Sequence, residues 1–364
     1  MYILFDLDGT LTDTELLHNK ADEFILKKYN IDFKEELKKG SFKLTETTGL
    51  RQMDVFDLYI KIFNLNITSQ DFLQEKINYF KKSKIKLLDN IKKVLKELKK
   101  EHTLVIVTSG HSSLVNLTLE RCNIKNYFDF VITSNDVSEG KPSPIPYETA
   151  RKKLNVPKEE CIVVEDSPNG VISGKRAGMI TIGVVNTFSA DLLREVNADY
   201  VCLNPLFILN TVNWISGKYE HKIEGSLVDE LKGRGIGYPK NNSYYVDILQ
   251  AAYLTELKKI KSDALKKVNK DKFLKERYLV FKDLRNKIHV SNYVPSEDLF
   301  LVHEKGMMPK NSQSEYVVIL SDNLNWEYLE KIKEYSRKVR KDLIVASIRN
   351  NNLIDYYKVQ EVIM

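Results

Sequence analysis

The chain has only three cysteines, Cys122, Cys161 and Cys202, scattered and without paired spacing. That excludes a disulfide framework and predicts reduced core thiols in a cytoplasmic protein. Long apolar runs are also missing. The most apolar stretches, such as Thr103–Val107 and Tyr316–Leu320, are strand-sized, whereas crossing a bilayer takes roughly 20 residues. No membrane partner is therefore expected. The chain enters a predicted strand at Tyr2 with no charged leader or cleavage pattern, so no signal peptide is expected either. Internal repeats and low-complexity tracts are absent.

What is present is a globular composition: 43% hydrophobic residues and 29% charged residues of mixed sign. At about 150 residues per domain, 364 residues predict two or three domains. The charge is unevenly placed. Residues 1–215 hold 29 Lys and Arg against 29 Asp and Glu, and residues 216–364 hold 27 against 21, so the whole excess of +6 lies in the second part. A neutral part joined to a basic part suggests two modules with different partners.

The first part alternates apolar strands with helical patterns. Strands are expected at 2–5, 104–107, 130–132, 161–164, 181–185 and 200–203, with helices at 91–99, 112–121, 143–154 and 170–177 between them. This α/β rhythm predicts a Rossmann-like parallel sheet covered on both faces. A helical block at about 15–85 interrupts it and reads as an inserted cap. Near 205 the rhythm ends at Asn204-Pro205. A linker is placed at 206–222, followed by an α+β unit divided into 223–290 and 291–364. In that unit 246–257 reads as an amphipathic helix and 258–275 as a lysine-rich helix. Strands are expected at 299–303, 316–320, 343–347 and 354–362, with a long helix at 326–340.

Phe5-Asp6-Leu7-Asp8-Gly9-Thr10 follows the first strand directly. Two carboxylates at the carboxyl end of a parallel strand sit where open sheets bind ligands. A carboxylate can attack phosphorus to form an acyl phosphate. A pair this close calls for a cation, and magnesium shares oxygen ligands with phosphate. Gly9 lets the backbone turn so that amide groups face phosphoryl oxygens. Three more elements follow, each just after a strand. Thr108-Ser109-Gly110 can donate a hydroxyl and amides to phosphate. Lys141, in Gly140-Lys141-Pro142, offers a fixed positive charge. Glu165-Asp166 supplies further carboxylates.

This set resembles the haloacid dehalogenase superfamily of phosphatases and phosphomutases, over residues 1–205. The resemblance implies Asp6 as the nucleophile and Asp8 as general acid/base. It implies Mg2+ held by Asp6, Asp166 and the Asp8 carbonyl, with Glu165 as the supporting acid. It also implies Thr108, Ser109 and Lys141 as phosphate binders. The helical insert resembles the cap of the phosphoglycolate phosphatase and β-phosphoglucomutase branch, where the cap selects a phosphorylated small-molecule substrate. Thr10, Asp13 and Glu15 extend the first motif without an assigned chemistry. His18, Arg51 and Lys76 are candidates to face substrate, with surface placement the simpler expectation. His111 has either a ligand contact or a helix-start role.

After residue 216 no metal spacing, phosphate loop or acid pair appears. The order of Arg277–Arg285, 298–302, 314–318, 336–343 and 355–359 resembles the archaeal tRNA-splicing endonuclease family over about 223–364. That family cuts RNA by attack of a ribose 2′-OH using Tyr, His and Lys. The matching positions here are His303, Gln313 and Lys341, and glutamine is neither acid nor base near neutral pH. The resemblance therefore implies a degenerate, structural subunit. Its implied partners are precursor tRNA and a catalytic endonuclease subunit, or further copies of this chain. The other expectations are a metabolic phosphatase whose tail only oligomerises it, and an RNA-processing scaffold.

Overall fold

A computed structural model describes residues 1–41, 49–240, 242–287, 289, 291–303, 316–321, 326–338, 341–349 and 352–359. Gln313 lies outside them. The chain divides into two compact units, Met1–Leu209 and Asn210–Met364.

Unit 1 opens with β1 (Tyr2–Phe5), whose Ile3, Leu4 and Phe5 are wholly buried. Among the described residues, α1 (Glu15–Lys27), α2 (Phe33–Lys39), α3 (Gln52–Phe63) and α4 (Ser69–Lys82) follow. They enclose their own core, in which the Phe56 and Phe72 rings stack at 4.6 Å and Ala21, Ile25 and Phe80 are buried. The alternating part then runs through α5 (Ile91–Leu98), β2 (Thr103–Val107), α6 (Ser112–Cys122), β3 (Phe130–Ile132) and α7 (Ile145–Leu154). It continues through β4 (Cys161–Glu165), α8 (Pro168–Arg176), β5 (Ile180–Val184), α9 (Ala190–Glu195) and β6 (Tyr200–Cys202). All strand pairs are parallel, in the order β3-β2-β1-β4-β5-β6. Strands buried on both faces must be apolar throughout, which is why they stand out as short apolar runs. β1 lies between β2 and β4, so its carboxyl end is at the point where the strand order reverses, the place open sheets leave a crevice.

Residues 206–222, expected as a linker, carry a helix, α10 (Phe207–Ile215), and the start of β7 (His221–Ile223). Phe207, Ile208 and Val212 are buried, and burial of apolar side chains at helical spacing outweighs the Asn-Pro turn signal before them. In unit 2, β7 joins β8 (Tyr238–Lys240) and β9 (Ser243–Val246) in an antiparallel sheet, with α11 (Leu227–Gly233) between β7 and β8. Val246, expected in a helix, ends β9; the helix α12 (Ile248–Glu256) starts after Asp247, which caps it. The lysine-rich stretch is not one helix. It contains α13 (Ala264–Lys270) and the start of α14 (Lys272–Asn286), separated at Asp271, whose carboxylate accepts from Leu274 N. An Asp that satisfies an orphan amide starts a new helix more readily than it continues an old one.

The remaining strands β10 (Ser291–Val294), β11 (Leu299–Val302), β12 (Tyr316–Leu320), β13 (Asp342–Ile348) and β14 (Ile354–Lys358) form a second sheet in sequence order. It is antiparallel except for the β12–β13 pair, which is parallel and bridged by α15 (Trp326–Lys338). Unit 2 is thus α+β. Among the described residues its largest fully buried side chain is Arg277, whose guanidinium forks onto Asp298. Among the described residues no helix is long and apolar enough to cross a membrane.

Candidate active site

Asp6 leaves β1 with its amide bonded to Val164 O at 2.9 Å, the last ladder bond before the chain turns away. Gly9 then adopts φ +84°, and a Cβ there would lie 2.0 Å from Asp166 Oδ2. The turn thus needs glycine both for its backbone and for space. Asp6, Asp8, Thr108, Ser109 and Asp166 line one cavity of about 90 Å³, closed on its other side by residues of α1, α3 and α4.

Lys141 is 1% exposed and binds three oxygens: Asp6 Oδ1 at 2.6 Å, Glu165 Oε1 at 2.5 Å and Val107 O at 3.0 Å. Burial alone would lower its pKa, but Asp6 and Glu165 hold it protonated, above the usual lysine range. Glu165 is wholly buried and also accepts from Tyr147 Oη at 2.6 Å and Ser167 Oγ at 3.2 Å. Asp166 accepts from Thr10 Oγ1 at 3.2 Å. Burial pushes Asp6 up to about 8, with Glu165 and Asp8 adding to the effect and Lys141 opposing it. Asp166 is raised well above the carboxylate range by burial and then by Asp6.

One oxygen from each of Asp6, Glu165 and Asp166 lies within 4.8 Å of the others, and Asp166 Oδ2 is buried with no hydrogen-bond partner among the described residues. Buried carboxylates that converge, with one lysine to share, are short of positive charge. An all-oxygen donor set of this kind fits Mg2+.

Asp8 behaves differently. Its Oδ1 accepts from Thr14 Oγ1 at 2.5 Å and from His18 Nε2 at 3.1 Å. Burial works against ionisation, but His18 and Thr14 prevail and hold Asp8 below the usual carboxylate range. Two carboxylates two residues apart are therefore pushed in opposite directions, because Asp8 has His18 and Thr14 as partners while Asp6 lies among further carboxylates.

Thr108 is buried, with its Oγ1 accepting from Gly110 N at 3.1 Å. Ser109 turns its hydroxyl onto Gly49 O, and its carbonyl accepts from Gln52 N at 3.0 Å. Its side chain thus ties the strand end to the helical insert. His111 caps α6 through Ser113 N at 3.3 Å, so its helix-start role is the one seen.

The surface placement expected for His18 and Lys76 does not hold. His18 is 15% exposed against Asp8, and Lys76 is 3% exposed in an ion pair with Asp22 at 2.6 Å. Arg51 is 30% exposed and forks onto Asp54. Tyr147, Gly170 and Asp22, the partner of Lys76, carried no sequence signal, because each acts through a residue far away in the chain. A Cβ at Gly170 would fall 1.9 Å from Glu165 Cδ.

In unit 2, His303 is buried and its carbonyl lies 3.2 Å from His289 Nδ1; Lys341 N donates to Ser336 O at 2.9 Å. Among the described residues these positions form no acid/base cluster comparable with that around Asp6.

The haloacid dehalogenase-like hydrolase family matches residues 3–184. The chain is 30% identical over 208 residues to pyrophosphatase PpaX of Oceanobacillus iheyensis, covering 55% of this chain and 90% of that protein. It is 30% identical over 214 residues to the phosphorylated carbohydrates phosphatase of Thermotoga maritima, covering 58% and 97%. A solved hydrolase from Pseudomonas syringae shares the fold at TM-score 0.50 and 24% identity, covering 59% of this chain and 99% of that one. With an intact carboxylate cluster on the matching sheet, the chain belongs to the haloacid dehalogenase-like hydrolases and carries a phosphatase of that family in its first unit.

Proposed function

We propose that unit 1 hydrolyses phosphate monoesters through an aspartyl-phosphate on Asp6. The observation that carries this is geometric: Asp6 stands at the carboxyl end of β1 with Lys141 at 2.6 Å, Glu165 and Asp166 converging on it, and Asp8 lining the same cavity. Lys141 holds Asp6 Oδ1, leaving Oδ2 to attack phosphorus as the bond to the leaving oxygen breaks. Asp8 is the group that gives the leaving oxygen its proton and then takes one from the water that attacks the aspartyl phosphate. His18 and Thr14 fix its orientation and favour the ionised form required in the second step. Asp6, Asp166 and the Asp8 carbonyl would hold Mg2+, supported by Glu165. When bound, the cation offsets charge on the carboxylates and the phosphoryl oxygens. The Thr108 hydroxyl and the adjacent amides orient the phosphoryl group.

The test is magnesium-dependent hydrolysis of p-nitrophenyl phosphate by the full chain, abolished in Asp6→Asn. Absence of hydrolysis with any divalent metal would refute the reading.

For unit 2 we propose a non-catalytic endonuclease-like subunit that contacts precursor tRNA and a catalytic partner. Its support is the order of elements, an antiparallel sheet with helices followed by a mixed sheet whose parallel pair is bridged by a helix. Salt-sensitive binding of intron-containing tRNA without cleavage is the expected result. Efficient cleavage by this chain alone, or no binding at low salt, would overturn it.

A further inference from the structure

The loop between β5 and α9 lies outside every motif read from the sequence, yet it reaches the carboxylate cluster. It is held at both ends. Val185 N donates to Cys202 O at 2.9 Å, and Ser189 Oγ accepts from Leu192 N at 3.3 Å, capping α9. β5 pairs in parallel with β4, so the loop leaves the sheet at the same edge as Asp166. Asn186 and Thr187 stand between the two anchors. Asn186 reaches past the end of β4 to the turn after β1, where its Nδ2 donates to Gly9 O at 3.0 Å. Gly9 has no side chain to hold it and sits at φ +84°. Its own amide donates to Thr12 O at 2.8 Å. Together the two bonds fix the planar peptide units on both sides of Gly9. The first of these units carries the Asp8 carbonyl, one of the oxygens assigned to the cation.

Thr187 serves the end of β4. The point that a Gly9 Cβ would occupy lies 2.8 Å from Thr187 Oγ1 and 2.0 Å from Asp166 Oδ2, so hydroxyl and carboxylate stand around one spot. Thr10 holds only the other oxygen, Oδ1, at 3.2 Å. Against the upward push of burial on Asp166, the Thr187 hydroxyl favours the ionised form, which is the form that binds a cation. We infer, on the phosphatase reading above, that Asn186 and Thr187 are positioning residues for Mg2+: Asn186 holds the Asp8 carbonyl through the Gly9 peptide, and Thr187 steadies the Asp166 carboxylate. Neither side chain lines the cavity in which the phosphoryl group reacts. Their contribution is therefore to cation affinity. Partners that orient metal-bound oxygens contribute about 10–100-fold to that affinity.

The test is calorimetric titration of the full chain with Mg2+ alone, set beside hydrolysis of p-nitrophenyl phosphate at rising Mg2+. Asn186→Ala and Thr187→Val should each weaken Mg2+ binding by about tenfold or more, with the lost hydrolysis recovered at excess Mg2+. Both side chains are exposed, so neither change disturbs a core. Thr187→Ser keeps the hydroxyl and should bind Mg2+ as the wild type does. Mg2+ affinity unchanged in either Asn186→Ala or Thr187→Val would overturn the inference while leaving the phosphatase reading intact. Thr187→Ser binding no better than Thr187→Val, or a loss of hydrolysis that excess Mg2+ does not recover, would do the same. A wild-type chain that neither binds Mg2+ nor hydrolyses p-nitrophenyl phosphate would overturn both.

Discussion

Gly170 faces the carboxyl group on which the active-site lysine rests. A Cβ added there would lie 1.9 Å from Glu165 Cδ and 2.0 and 2.1 Å from its two oxygens. Non-bonded carbon contacts settle at about 3.5–4 Å, so in Gly170→Ala the carboxyl group must retreat by about 1.6 Å or more. Glu165 has nowhere free to go. It is wholly buried and accepts from Lys141 at 2.5 Å, Tyr147 at 2.6 Å and Ser167 at 3.2 Å. A hydrogen bond to a charged group contributes about 1.5–3 kcal/mol, so weakening two of them costs roughly 3–6 kcal/mol. That is comparable with the whole stability of an ordinary domain, about 5–15 kcal/mol. Movement of Glu165 also displaces Lys141, and Lys141 positions Asp6. Urea unfolding and p-nitrophenyl phosphate hydrolysis, run side by side, should show a much lower midpoint and activity reduced by orders of magnitude. Gly233→Ala is the control: it ends α11, nothing lies within 4 Å of the added Cβ, and the change should stabilise by about 0.5–1 kcal/mol. If Gly170→Ala matches wild type in both assays, the crowding argument at Glu165 is wrong.

Other substitutions probe separate parts of the chain. Tyr147→Phe keeps the buried ring against Lys141 but removes the bond to Glu165; it should lower kcat more than it changes KM and cost about 1.5–3 kcal/mol in urea. A stability equal to wild type would show that this hydroxyl is dispensable. Asp298→Asn suits the backbone φ of 51° at that position but takes from the buried Arg277 its forked, fully buried partner and leaves it the longer pair with Glu276 at 3.4 Å. It should destabilise unit 2 by about 3–5 kcal/mol, read from the unfolding of that unit, with hydrolysis by unit 1 retained. Asp247 is pushed up from 3.8 to about 6 by burial, against two backbone bonds that favour its ionised form. Between those values the folded state keeps a proton that the unfolded chain has released, so the contribution to stability is full below the lower value and is lost as pH rises to about 6. Asp247→Asn keeps the cap and should flatten urea midpoints between pH 4.5 and 7; an unchanged slope would exclude Asp247 as its source.

Much of unit 1 was readable before any coordinates. Strands buried on both faces announce themselves as short apolar runs, and the candidate site residues stand at their ends: Asp6 after β1, Thr108 after β2, Glu165 and Asp166 at the end of β4. Those positions follow from local pattern, because a parallel strand places its next residues at the same edge of the sheet. Unit 2 was legible only in outline. Asp247 moved the start of an expected helix by two residues, Asp271 starts a helix where periodicity ran on unbroken, and buried apolar residues in α10 filled a stretch expected to link.

The sequence by itself determined which residues stand at the sheet edge and what chemistry those residue types allow. Tertiary structure alone decided how they are tuned. Lys141 meets Asp6 across 135 positions, Lys76 meets Asp22 across 54, and Gly170 makes room for a carboxylate on another element. Such pairings leave no periodicity in the chain. They arise when the insert and the sheet close around one cavity and burial makes each charge depend on the partner it finds there.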